Sequence, residues 1–256
     1  MPRWEAALIQ NPILKVLSTF SRHNVKTLLM GGQACILYGA AEFSRDSDFV
    51  VLADKKNLEI LHAALRELEA EVIAVPPFEV AYLEKGHAVH FRCRHPDVAG
   101  LRIDLMSVLR GVDPFEALWN RRQTIPLERG TELVMVLSLP DLVLAKKTQR
   151  DKDWPIIRRL LEADYLADVT PSREKILFWL MESRTPVILG RLCQRYPDEA
   201  ARIAARRQAV EAALSGDLDR AADFLAQEEA EERRRDTEYW KPLRRELELL
   251  RHGTGT

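Results

Sequence analysis

Net charge is almost absent from this chain. Its 38 lysines and arginines stand against 39 aspartates and glutamates, a formal charge of -1 at pH 7. No overall field therefore draws it to nucleic acid or to a membrane surface, and any such contact must come from a local patch. Cysteine is scarce. Cys35, Cys93 and Cys193 are odd in number, widely spaced and set in apolar or helical surroundings, which points to reduced structural thiols in a reducing compartment. No uninterrupted apolar run approaches the roughly 18 residues of a membrane span. The N-terminus has early acids and no signal-peptide pattern, so the expectation is a cytoplasmic protein with no membrane partner. Internal repeats and low-complexity linkers are missing too. What remains is ordinary for a globular chain: 46% hydrophobic and 30% charged residues over 256 positions, enough for one large domain or two small ones.

The stretch from Leu28 to Leu52 organises the rest. Lys26 to Met30 reads as a buried strand. Gly31-Gly32 then allow a tight turn and a close approach of backbone to a ligand. Gln33 to Tyr38 fits a short helix with Gly39 as its C-cap. Asp46-Ser47-Asp48 leads into Phe49-Val50-Val51-Leu52, a run suited to a buried strand. Side chains alternate along a strand, so Asp46 and Asp48 point to one face. Two such carboxylates repel unless something positive lies between them, and a hard cation such as Mg2+ meets that need with carboxylate and phosphate oxygens. Leu101 to Val108 reads as another strand, with Asp104 the one acid among apolar neighbours, which is costly unless paired with Arg102, Arg92 or Arg94 or bound to metal.

The glycine turn Met30-Gly31-Gly32, the Asp46-x-Asp48 pair and the later acid Asp104 resemble the DNA polymerase beta-like nucleotidyltransferase superfamily. Within it, the chain is most similar to the small bacterial nucleotidyltransferases of abortive-infection and toxin–antitoxin systems. These carry an Asp-Leu-x-x-x-Lys helix and a Lys-Asp pair, here Asp141 to Lys146 and Lys152-Asp153. The resemblance covers residues 25 to 165 or so. It implies transfer of a nucleoside monophosphate from a nucleoside triphosphate, ATP among them, to a hydroxyl. It also implies Mg2+ at a two-metal site. Asp46 and Asp48 would bind both metals, and Asp104 would complete the second site and take the acceptor proton. Gly31 and Gly32 would bring backbone N–H groups to the phosphates, Ser44 would bond a phosphate, and Lys146 would reach the triphosphate, with Lys147 as the register alternative. The acceptor would be an RNA end such as tRNA, a protein or a small molecule. The competing expectation is a catalytically silent nucleotide- or partner-binding module of the same fold, for example one half of a toxin–antitoxin pair, with the helical C-terminal part as partner surface.

The expected fold class is α+β: a nucleotidyltransferase-like mixed sheet flanked by helices (residues 1–167), followed by an all-helical C-terminal domain (168–256). Around the organising stretch we expect a helix over 4–22 kinked near Asn11-Pro12, an amphipathic helix over Lys55 to Leu68, and a short strand over Glu71 to Val75. A short helix should follow over Phe78 to Lys85, with strands over His87 to His95 and Leu101 to Val108 forming a hairpin. The histidines His87, His90 and His95 read as surface and strand-end residues, and Arg92 with Arg94 as a solvated face. Further expectations are a helix N-capped by Asp113, strands over Thr124 to Leu127 and Glu132 to Leu137, a helix from Leu139 carrying Lys146 and Lys147 on its second turn, and a helix over Pro155 to Ala163. From Pro171 the pattern is helical throughout, with one helix over Asp198 to Leu214. The last helix, Leu218 to Arg251, has Glu228 to Arg235 as a solvated charged face and Trp240, Leu243, Leu247 and Leu250 as a stripe returning the tail to the body.

Overall fold

The computed structural model describes residues 11–41, 44, 46–126 and 133–253. The expected start of the first helix at residue 4, and the inner ends of the strands expected to reach Leu127 and start at Glu132, lie outside these residues.

The chain forms two compact units. One takes the residues up to 37, then 41–145, then those from 239 onward; the other takes 38–40 and 146–238. The first unit runs α1 (Asn11–Arg22), β1 (Thr27–Met30), α2 (Gly31–Leu37), β2 (Asp46–Val51), α3 (Lys55–Glu67), β3 (Ala70–Val72), α4 (Val80–Glu84), β4 (Val89–Cys93), β5 (Arg102–Met106), α5 (Phe115–Asn120), β6 (Gln123–Pro126), β7 (Leu133–Val136) and α6 (Leu139–Ala145). The seven strands make one mixed sheet in the order β3-β4-β5-β2-β1-β7-β6. β2 is the hinge of this topology: antiparallel to β1 and parallel to β5. The α+β architecture expected from the sequence is the one observed.

Alternation explains the two faces of the sheet. Ser47, Phe49, Ile103, Leu105, Val89 and Phe91 are buried, and Phe49 meets Phe20 of α1 with ring centroids 5.0 Å apart. Val16, Leu17 and Phe20 of α1 and Leu58, Leu61 and Leu65 of α3 are buried as well. Each such large side chain contributes about 1.5–3 kcal/mol. α3 begins where Asp54 caps it, accepting from the Asn57 backbone at 2.7 Å. Asn57 in turn is buried and bonds Lys26 and Leu52, closing the far ends of β1 and β2. The opposite face of β2 and β5 is half-exposed and carries the acids.

The second unit is helical: α7 (Asp153–Ala167), α8 (Arg173–Glu182), α9 (Pro186–Arg195), α10 (Pro197–Ala204), α11 (Gln208–Leu214) and α12 (Leu218–Gly253), whose residues from Tyr239 count with the first unit. Past α6 the chain enters the second unit at residue 146. The reason is local: α7 is tied to α8, with Trp179 donating to Asp164 at 2.7 Å and stacking edge-on against Tyr165. The returning tail is as expected, with Leu243 buried and Glu246 bonded to Lys85 and His87.

Several local expectations give way to specific contacts. His87 is fully buried, its Nε2 2.9 Å from Glu246, and is no surface histidine. Asp113 does not cap α5; Pro114 holds that position and Asp113 pairs with Arg121 at 2.8 Å. The helix expected over 198–214 breaks into α10 and α11, because Arg207 leaves the helical path to reach the carbonyls of Leu180 and Ser183 at 2.6 and 2.7 Å. Glu228 and Glu229 are not on a solvated face: Arg207 and Arg184 bond the first, Arg158 and Arg233 the second. All three cysteines are buried, and burial pushes the Cys93 and Cys193 thiols up to about 11. No helix among the described residues is long and apolar enough to cross a membrane.

Lys146 and Lys147 follow the end of α6 instead of riding on it. Both are buried. Lys146 pairs with Asp153 at 3.1 Å, and Lys147 with Glu182 at 2.7 Å. Asp153 is fully buried and also accepts from Thr148 and Arg150. Burial works against its charge, but Lys146, the Thr148 hydroxyl and Arg150 outweigh it and hold the carboxyl below the usual 3.8. A carboxyl depressed on folding contributes stability that is present above its ordinary pKa and is lost as pH falls through the depressed value. We expect the thermal midpoint of the wild type to fall more steeply than that of Asp153→Asn as pH drops from about 5 to about 2, measured by circular dichroism. Parallel pH profiles would exclude the Asp153 cluster as the source.

Candidate active site

The acids are brought together by register. In the parallel pair β2–β5, Asp46 lies opposite Arg102 and Asp48 opposite Asp104. In the antiparallel pair β4–β5, His90 lies opposite Asp104 and Arg92 opposite Arg102; in β1–β2, Met30 lies opposite Asp48. One row across four strands thus reads Met30, Asp48, Asp104, His90. The adjacent row reads Asp46, Arg102, Arg92. Like charges directly opposite each other destabilise a sheet, so Asp48 beside Asp104 demands a neighbouring positive group.

In this structure that group is Arg102. Its Nε donates to Asp104 Oδ1 at 2.7 Å, and His90 Nδ1 lies 2.8 Å from the same oxygen. Asp104, mostly buried, is pushed up by burial, but the hydrogen bonds and charges of His90 and Arg102 prevail and keep it below the ordinary carboxylate value. The Arg102 guanidinium is held charged above all by its bond to Asp104, with Asp46 and Asp48 adding to the pull. All three acids therefore act on one arginine.

The glycine turn presses against two of the predicted site residues. Gly31 has φ +67°, and a Cβ there would lie 1.9 Å from Asp48 Oδ2. A Cβ on Gly32 would lie 2.4 Å from Ser44 Oγ. The two glycines are thus the first residues of α2, not a turn ahead of it, and their bare backbone lets Asp48 and Ser44 sit against the helix start. Ser44 donates to the Asp46 carbonyl at 3.2 Å, and Gln33, buried at the base of α2, donates to the Ser44 carbonyl at 2.8 Å. The Oε1 of Gln33 and the hydroxyl of Ser47 are buried without a hydrogen-bond partner among the described residues. Gly31, Gly32, Ser44, Asp46, Asp48 and Asp104 accordingly form one cluster at one end of β1, β2 and β5. Lys146 belongs to the second unit and its ammonium is engaged by Asp153.

No family model matches the chain, and no curated protein matches it. Among solved structures, it is similar to an antigenic nucleotidyltransferase-like protein from Paracoccidioides brasiliensis. The identity is 17% over 75% of this chain and 88% of that one, with a TM-score of 0.40. Such a likeness carries no statement about activity.

Hard oxygen donors on one face, with the Asp48 carboxylate seated against Gly31 where no side chain would fit, suit a hard divalent cation in kind. Among the described residues no three acid, histidine or cysteine side chains are yet drawn close enough to hold one. A cation entering here competes with Arg102 for Asp104 Oδ1. Arg102→Met removes that competitor. The variant is expected to bind Mn2+ roughly tenfold more tightly by calorimetry, and to be less stable without metal by about 1–3 kcal/mol, since it leaves a partly buried carboxylate short of a partner. Unchanged affinity would show that Arg102 does not compete.

Two participants were not assigned from the sequence. His90 read as a surface residue, and Arg102 only as one of three candidate partners for Asp104. The i, i+2 spacing of Arg102 and Asp104 already put them on one face. His90 becomes visible only once the β4–β5 hairpin register is fixed.

Proposed function

We propose that the chain transfers a nucleoside monophosphate from a nucleoside triphosphate to a hydroxyl acceptor in a Mg2+-dependent reaction. The observation that carries this reading is the cross-strand placement of Asp48 beside Asp104, with Asp46 on the same face and Gly31 packed against Asp48. Asp46, Asp48 and Asp104 would hold the metal, which supplies neutralisation of phosphate charge and polarisation of a phosphoryl oxygen. The rest is positioning. Gly31 and Gly32 let the Asp48 carboxylate and the Ser44 hydroxyl lie against the start of α2, where a triphosphate would meet them. Ser44 offers a hydroxyl there. His90 and Arg102 hold Asp104 ionised well below neutral pH. That suits it as a ligand and makes it a weak proton acceptor, because a base works best with a pKa near the working pH.

A second reading has a specific observation in its favour. Asp104 is already ion-paired, so the chain would bind a nucleotide or a protein partner without turnover, its helical second unit serving as partner surface, as in one half of a toxin–antitoxin pair. One pair of measurements separates the two readings. A non-hydrolysable ATP analogue is titrated by calorimetry with and without Mg2+, on wild type and on Asp46→Asn/Asp48→Asn, and pyrophosphate release from ATP, CTP, GTP and UTP is followed with tRNA, cell-extract protein and an aminoglycoside each offered as hydroxyl acceptor. Metal-dependent binding that the double variant loses by at least about 100-fold, together with pyrophosphate release, is the result expected of a transferase. Binding without release supports the silent module. No metal-dependent binding in the wild type refutes both nucleotide readings.

A further inference from the structure

The second unit contains a cavity of about 600 Å³ that the proposed transfer reaction does not use. Its wall on α12 follows from helical spacing: Ala222, Leu225, Ala226, Glu229, Ala230 and Arg233 recur every three or four residues and share one side. The alanines leave the volume open and Leu225 supplies an apolar floor. The facing wall is Arg158 of α7 and the Arg184-Thr185-Pro186 corner before α9. The volume lies in the range of small-molecule sites.

Within the lining itself arginines outnumber carboxylates, while Arg184 also bonds Glu228 and Glu182 and Arg233 also bonds Asp151. Three arginines line the cavity against one carboxylate, Glu229. Glu229 is shared, with Arg158 at 2.9 Å from one oxygen and Arg233 at 2.7 Å from the other. Arg158 gives a single N–H to that bond and is 42% exposed. Arg184 is nearly fully buried, binds Glu228 and Glu182 through its terminal nitrogens, and leaves its Nε–H buried with no partner among the described residues. Guanidinium groups recognise phosphate and carboxylate by paired N–H donors. An unmatched buried donor costs stability unless something meets it, and Arg184 is one of the residues that line this cavity.

We propose that this cavity binds a small amphiphilic dianion, a phosphate monoester with an apolar body. The phosphate would lie between Arg158, Arg184 and Arg233, and the body over Leu225, Ala226 and Pro186. The proposal is independent of the acid site on the sheet.

The probe is 1-naphthyl phosphate, titrated by calorimetry into the full chain without divalent metal, with 1-naphthol and inorganic phosphate as half-probes. Naphthyl phosphate is expected to bind at least tenfold more tightly than either half. Arg158→Gln is expected to weaken it by about tenfold or more, as is Ala226→Trp, which fills the cavity from an exposed position, and thermal unfolding will show whether either variant remains folded. The Asp46→Asn/Asp48→Asn chain is expected to bind the probe as the wild type does, which separates this site from the nucleotide site. The proposal is overturned by equal binding of naphthol, by binding that survives both Arg158→Gln and Ala226→Trp, or by no binding at millimolar probe.

Discussion

Replacing Arg207 by alanine is expected to lower the stability of the second unit by about 3–5 kcal/mol, read as the shift in its urea midpoint. The side chain is 5% exposed and its guanidinium serves four acceptors: the Leu180 carbonyl, the Ser183 carbonyl, and both oxygens of Glu228. Burial presses Glu228 toward its neutral form, while Arg207 and Arg184 keep it ionised below the usual range. With Arg207 gone, Arg184 alone faces that carboxylate and two buried carbonyls lose their donor. Most of the loss arises from those stranded groups and little from the pair itself. The double variant Arg207→Met/Glu228→Leu should therefore recover a good part of it. A loss under about 1 kcal/mol in Arg207→Ala would mean that water reaches the corner and the bonds are dispensable.

Gly31→Ala is expected to abolish metal-dependent nucleotide binding, by at least about 100-fold, and to cost about 2–4 kcal/mol of stability in the first unit. Two effects add. The backbone at φ +67° disfavours any side chain, and the new Cβ would fall 1.9 Å from Asp48 Oδ2, so the carboxylate must swing away. Gly100→Ala separates them. That glycine has φ +82°, and an added methyl there would meet nothing within 4 Å, so it carries the backbone strain alone. If Gly100→Ala and Gly31→Ala lose equal stability and both keep nucleotide binding, the contact between Gly31 and Asp48 has no functional meaning.

Much of this arrangement was legible in the sequence. Strand alternation placed Asp46 and Asp48 on one face, and the apolar frame of Ile103 and Leu105 marked Asp104 as the odd acid in its strand. The mixed sheet, the β4–β5 hairpin, the amphipathic α3 and the returning tail were likewise written in periodicity and turn residues. What the sequence could not show is how long-range pairs redirect local preference. Arg207 breaks a helix that reads as continuous from Asp198 to Leu214, because its partners come from α8 and α12. Glu228 and Glu229 look like a solvated block until the arginines opposite them are placed. His87 looks like a surface histidine until α12 brings Glu246 to it. Lys146 sits at the right spacing after Asp141, yet α6 stops one residue earlier and Asp153 takes its charge.

The parallel pairing of β2 with β5 also bears on how the protein comes into being. Asp48 and Asp104 are neighbours across a strand pair but lie far apart along the chain, with α3, β3, α4 and β4 between them. Closing that loop carries an entropic penalty that local helices do not face. During synthesis the Asp46-x-Asp48 strand is complete long before its acidic neighbour exists, so the site is a product of late, non-local folding, and a nascent chain cut short before β5 would carry the signature of the site without ever assembling it.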